Sequence, residues 1–215
     1  MEYQMTPEEY FRKIIELYHD SRQPKYYNPN IKRGRSSSIS SELEDLTALF
    51  IALNNPKVCA YYTDQPIKFE GSTTKYPDIV IQNQSGLIEN LVDVKTDIGW
   101  NRNGMFAFCK EWEKRIESVK GTNTKFREGD TKIWNQGRFS RRLKYHVMIV
   151  TNKNSGKSLE KDYFKVKEQF RNIRLYILSE GLHPNNYKFS LPETMSRIQI
   201  NHREFKRFFS CINKR

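Results

Sequence analysis

Two aspartates and a lysine stand on successive strand-like runs in the first half of this chain. Asp78 follows Pro77 and heads Asp78-Ile79-Val80-Ile81. After fourteen further residues, Asp93 and Lys95 close the run Leu91-Val92-Asp93-Val94-Lys95. Side chains alternate faces along a strand, so Asp93 and Lys95 point one way while Val92 and Val94 point the other. If the two runs pair as neighbours, both carboxylates and the ammonium meet at one point. Such a set can hold a hard divalent cation and activate a water beside it. The alternative is a solvated strand face with scattered charges, where Asp78 is a turn residue.

Pro-Asp, a spacer, then Asp-X-Lys resembles the active-site signature of the PD-(D/E)XK nucleases, the fold group of many type II restriction endonucleases. That family's core runs helix, a meander of three strands carrying the signature, helix, strand. The sequence reads in that order from about Ser40 to about Thr151. The resemblance implies a site-specific endonuclease for double-stranded DNA, dependent on Mg²⁺ with Mn²⁺ as a substitute. Asp78 and Asp93 would hold the metal, with the Val94 carbonyl as a helper. Lys95 would assist the nucleophile or the transition state. The family commonly adds a glutamate from the preceding helix, where Glu42, Glu44 and Asp45 are available. At about 3.6 residues per turn the apolar stripe is Leu43, Leu46, Leu49, Phe50 and Leu53, which leaves Glu42 on its edge and Glu44 on the far side. Glu42 is therefore the expected third acid, with Asp97 and Glu70 as runners-up. A Holliday junction resolvase or repair nuclease of the same fold stays open. So does a non-catalytic basic nucleic-acid-binding protein in which Asp-X-Lys is fortuitous.

The elements that must position these residues can be read from pattern. Thr6-Pro7-Glu8-Glu9 starts a helix that ends near His19 or Asp20. Ser21 to Ser38 is an exposed basic loop carrying Lys32, Arg33 and Arg35. A helix from Ser40 or Ser41 runs to about Asn54. Strands follow at Val58–Thr63 (with or without a resumption at Ile67-Lys68-Phe69), at Pro77–Gln82 and, after a turn at Asn83-Gln84-Ser85-Gly86, at Leu87–Lys95. A helix covers Met105–Val119. Gly121 to Arg142 is polar, basic and irregular, with Trp134 and Phe139 as anchors. Tyr145–Val150 and Ile173–Leu178 read as buried strands, Leu159–Phe170 and His202–Ile212 as helices, and His183–Pro192 as loop. The expected fold class is α/β, a restriction-endonuclease-like core with a central mixed β-sheet flanked by helices. A single domain spans 1–215, with an N-terminal helix and basic loop (1–39), a catalytic core (40–151) and a C-terminal extension (152–215).

Charge points to the partner. The 215 residues hold 37 Lys and Arg against 25 Asp and Glu, a net +12. A chain so basic is prepared to meet a polyanion. Lys32, Arg33 and Arg35 form one cationic cluster. Lys120, Lys125, Arg127, Lys132, Arg138, Arg141, Arg142 and Lys144 form another, against Glu128 and Asp130. Both are expected to contact DNA phosphates, and Arg138, Arg141 and Arg142 are candidates for reading base edges. A palindromic site would be met by a homodimer. The three cysteines, Cys59, Cys109 and Cys211, are dispersed and support neither a zinc ribbon nor a disulfide framework. The dispersed histidines show no metal-ligand spacing, and His146 reads as structural. Asn154-Ser155-Gly156-Lys157-Ser158 lacks the first glycine of a phosphate-binding loop, because Thr151 stands there, so no nucleotide cofactor is expected. With no signal-like or membrane-spanning run, a cytoplasmic location is expected.

Overall fold

The computed structural model describes residues 3–26, 28–57, 59–69, 73–101, 104–127, 129 and 131–213. Val58, Glu70, Glu128 and Asp130, named above, lie outside that set. The chain is α/β, with a central mixed sheet flanked by helices. Helix α1 (Pro7–Asp20) begins in a capping box. The Thr6 hydroxyl accepts the Glu9 N–H at 3.2 Å, and the Glu9 carboxylate accepts the Thr6 N–H at 2.7 Å. Helix α2 is Ser40–Asn54. Strands β1 (Cys59–Thr63), β2 (Ile67–Phe69), β3 (Thr73–Lys75), β4 (Ile79–Asn83) and β5 (Leu87–Lys95) follow, then helix α3 (Met105–Val119). Strands β6 (Asn123–Arg127) and β7 (Trp134–Ile149), helix α4 (Leu159–Gln169) and strands β8 (Ile173–Ile177) and β9 (Ser179–Gly181) come next. Helix α5 (Leu191–Arg197), strand β10 (Ile198–Ile200) and helix α6 (His202–Ile212) complete the order.

Strands β1, β4 and β5 form an antiparallel meander, and β7 joins β5 in parallel after the α3 crossover. Strand β8 extends the sheet in parallel on the other side of β7, so residues beyond 151 share the same sheet. The early part of β7 turns antiparallel to β6, which leads on to β2 and β3.

Alternation divides the core in two. Ile79, Ile81, Val92, Val94 and Met148 face one apolar layer with α1, α2 and α6. Val80, Leu91, Val147, Ile149 and Leu175 face the other with α3 and α4. Burying such strands on both faces is what parallel pairing under helices requires. Among the described residues, no helix is long and apolar enough to cross a membrane.

Two expectations change here. The stretch 121–142 is not irregular, because β6 and β7 make a hairpin of it, and β7 begins at Trp134 rather than Tyr145. Ile67–Phe69 does not resume β1. It pairs with β3 and touches β6 at Ile67↔Phe126.

Candidate active site

The turn at 83–86, with the bulge that shifts the pairing between Ile81 and Gln82, sets the register that makes the site. Gly86 adopts a φ of 75°, a left-handed conformation that suits glycine, and the Asn83 side chain accepts the N–H groups of Ser85 and Leu87 at 2.9 and 3.0 Å. The hairpin then pairs Ile79 with Val92 and Val80 with Leu91. One further step places Asp78 opposite Asp93, on the face of Val80 and Leu91.

Asp78, Asp93 and Lys95 do converge. The Lys95 ammonium donates to Asp93 Oδ1 at 2.8 Å and to Asp78 Oδ2 at 3.3 Å. Asp78 Oδ2 also accepts the Val94 N–H at 2.6 Å. Within a strand, a residue's N–H and C=O point to the same side. The Val94 carbonyl is therefore directed toward Asp78, while the Lys95 carbonyl accepts from Val150 at 2.8 Å. Asp93 is largely enclosed, its side chain 8 % exposed against 14 % for Asp78 and 24 % for Lys95.

The electrostatics follow from that enclosure. Burial, and then repulsion from Asp78, raise the Asp93 carboxyl well above the usual carboxylate range despite Lys95. Burial acts to lower the Lys95 ammonium, but the two carboxylates outweigh it and raise its pKa. Two enclosed carboxylates share one ammonium, so the centre carries surplus negative charge. A cation would relieve it, and carboxylate and carbonyl oxygens are the donors that hard divalent ions take. In kind, the residues fit Mg²⁺. Among the described residues, however, no group of three or more His, Cys, Asp or Glu gathers as a metal cluster.

The helix acid is where the structure departs from the pattern. Glu42 is exposed, and its carboxylate accepts the Ser41 hydroxyl at 2.9 Å. Glu44 is half-buried instead. Its carboxyl is raised to about 7 by burial and by repulsion from Asp78 and Asp64, with Lys95 opposing. The reason is a polar residue in the helix core. The Thr47 hydroxyl donates to the Leu43 carbonyl at 2.6 Å and meets the Tyr10 hydroxyl at 2.7 Å, so threonine is fully buried. The buried face is Leu43, Thr47, Ala48, Phe50 and Ile51, while Leu49 is 48 % exposed. Glu44 borders that face one turn before Ala48.

Asp64 is a residue that the sequence pattern does not single out. It adopts a φ of 48°, and its N–H donates to the Asp78 carbonyl at 3.0 Å. Asp97 is committed elsewhere. It accepts from His183 at 3.2 Å, from Asn154 at 3.0 Å and from the Gly99 N–H at 2.8 Å, and these bonds lower it to about 2. It ties loops together just past the site.

The two basic clusters separate. Lys32, Arg33 and Arg35 are exposed on the loop entering α2. That loop ends at Ser37, Ser38 and Ile39, which line a cavity of about 570 Å³ together with Thr96, Lys153 and Asn154. Thr96 adjoins Lys95, so the end of this loop shares a cavity with a chain neighbour of the acidic centre. Arg138, Arg141 and Arg142 lie toward the other end of β5. Arg138 pairs with Leu87 at the start of β5, and a bulge between Phe139 and Lys144 carries the other two arginines. At about 3.3 Å per residue, Leu87 lies roughly 26 Å along the strand from Lys95. His146 is structural. Nε2 meets the Asn90 Oδ1 and Nδ1 the Tyr176 hydroxyl, each at 3.0 Å, and burial first of all lowers its pKa to about 3. Comparison with family models, curated proteins and solved structures finds no match to this chain.

Proposed function

We propose that the protein is a Mg²⁺-dependent, site-specific endonuclease of double-stranded DNA, built on the PD-(D/E)XK core and resembling type II restriction enzymes. The observation that carries this reading is the meeting of Asp78 and Asp93 on the Lys95 ammonium at 3.3 and 2.8 Å. The order α2, β1, β4, β5, α3, β7, with β7 parallel to β5, supports it, because it matches the core arrangement of that family.

Asp78, Asp93 and the Val94 carbonyl would hold the metal, with Mn²⁺ as a substitute, and Glu44 rather than Glu42 would be the helix acid. A divalent ion held there would supply a coordinated water of lowered pKa and charge neutralisation at the scissile phosphate. The protein's own groups do the rest. Lys95 keeps a charged donor at the place where negative charge builds on the phosphoryl oxygens. The Val94 N–H fixes one Asp78 oxygen. Glu44 exchanges a proton near neutral pH, which suits a carboxylate that accepts a proton from attacking water. Lys32, Arg33, Arg35 and Lys153 would hold flanking phosphates. A two-fold site would be met by a homodimer.

The test is incubation of phage DNA with the protein and Mg²⁺, with products resolved on a gel. Discrete bands support a site-specific cutter. A smear would place the protein among nonspecific nucleases, and selective cleavage of four-way junctions among resolvases. Intact DNA, with binding retained, would leave a non-catalytic nucleic-acid-binding protein.

A further inference from the structure

At the opposite end of β5 from the acidic centre lies a cavity of about 1220 Å³. Among the described residues, eight lysines and arginines line it against one carboxylate, Glu89. It is half open, set between the 83–87 turn, the β7 bulge and the end of α6. Six cations define it: Lys120, Arg141, Arg142, Lys144, Arg174 and Arg207.

Their charge is poorly neutralised. Lys144 donates to the Arg171 carbonyl at 2.6 Å, and Arg174 to the Phe170 carbonyl at 3.0 Å, so neither meets a carboxylate in these bonds. Lys120 is paired with Glu117 at 2.9 Å and Arg207 with Glu204 at 2.5 Å. Among the described residues, no carboxylate pairs with Arg141 or Arg142, both exposed on the bulge. The crowding registers on the neighbours. Burial, then Arg174 and Lys120, lower the Lys144 ammonium. Cations that outnumber their counter-charges around a concavity form a site for an anion with several charges.

We propose that this basin binds a run of consecutive phosphates on a nucleic-acid strand, as a contact surface separate from the acidic centre. The cavity is far larger than one phosphate needs. Its arginines present planar forks that match phosphate oxygens, and its lysines present point charges. Glu89 and Asn90 line the basin, and Lys95 lies five residues beyond Asn90, roughly 17 Å along the strand. The proposal needs no cleavage and stands if the protein proves non-catalytic.

The experiment measures binding of a fluorescein-labelled 20-base-pair duplex and a 12-nucleotide single strand, in EDTA, over a series of salt concentrations. The protein carries Asp93→Ala so that no cutting occurs. Adding Arg141→Ala and Arg142→Ala should weaken binding about tenfold, and each lost duplex contact should reduce the log–log salt slope by about 0.9. The pair Arg141→Lys and Arg142→Lys should keep most of the slope. Melting followed by circular dichroism checks that the variants fold. An unchanged affinity and slope in the folded alanine pair would overturn the proposal. So would binding of inorganic tripolyphosphate in the basin without binding of either oligonucleotide. Cleavage assays of the parent protein report on the acidic centre alone, so the two readings fail separately.

Discussion

At the residue scale, three side chains could be found from spacing and one could not. Asp93 and Lys95 are two apart on a strand and must share a face, and the turn at 83–86 with the bulge between Ile81 and Gln82 brings Asp78 alongside. The third acid depended on helix phase. Leucine at 49 and threonine at 47 suggest that 49 is buried, yet a hydroxyl with two partners reverses that order. Glu44→Gln should therefore reduce DNA cleavage roughly 10²-fold or more, while Glu42→Gln should stay near wild type. Steady-state cleavage of a labelled duplex checks this, and equal small effects would remove the helix from the site. Lys95→Met should cost roughly 10²–10³-fold in turnover with metal binding retained, since an ammonium donates to the transition state and does not ligate a cation. Mn²⁺ binding followed by calorimetry separates the two effects. His146 carries a pH prediction. It is neutral in the folded protein, with a pKa near 3, and ionises near its ordinary value when unfolded. Its contribution is fully present above pH ~6.5 and is lost as pH falls toward 3, at up to about 1.4 kcal/mol per pH unit. Urea midpoints between pH 7 and 4 should fall less steeply in His146→Gln.

At the element scale, strands buried on both faces were readable and the exposed hairpin was not. Tyr145–Ile149 is apolar because it lies between β5 and β8 under helices on both sides. Residues Trp134 to Arg138 of β7 pair with β6, with Gln136 and Arg138 exposed, and Arg141 and Arg142 are exposed on the bulge beyond. Polar and charged residues at the exposed positions of such a strand read as loop. Gly137 is there because the strands come close: a Cβ would meet the Phe126 ring at 3.2 Å. The pose of α2 rests on Thr47. Thr47→Val should cost about 1–3 kcal/mol, because the Tyr10 hydroxyl is left buried without its partner. Leu49→Gln, on the exposed face, should stay within about 0.5 kcal/mol. Urea denaturation gives both values, and a reversed order would mean that the helix packs on the stripe containing Leu49.

At the scale of the whole molecule, opposite chemistry occupies opposite ends of one strand. β5 ends in the acidic pair with its lysine and begins beside a basin of cations. The net charge of +12 announced a polyanionic partner, but composition cannot show where charge gathers. Arg141 and Arg142 looked like flanks of the site only because the hairpin that carries them away was unread. The central claim is that Asp78, Asp93 and Lys95 form a hydrolytic centre. It is tested most directly by incubating phage DNA and Mg²⁺ with the wild-type protein and with Asp93→Ala, side by side on one gel. The account predicts discrete fragments from the wild type and intact DNA from the variant, with both proteins binding duplex equally in Ca²⁺. Intact DNA from a wild-type protein that binds duplex, or the same fragments from Asp93→Ala, would contradict it.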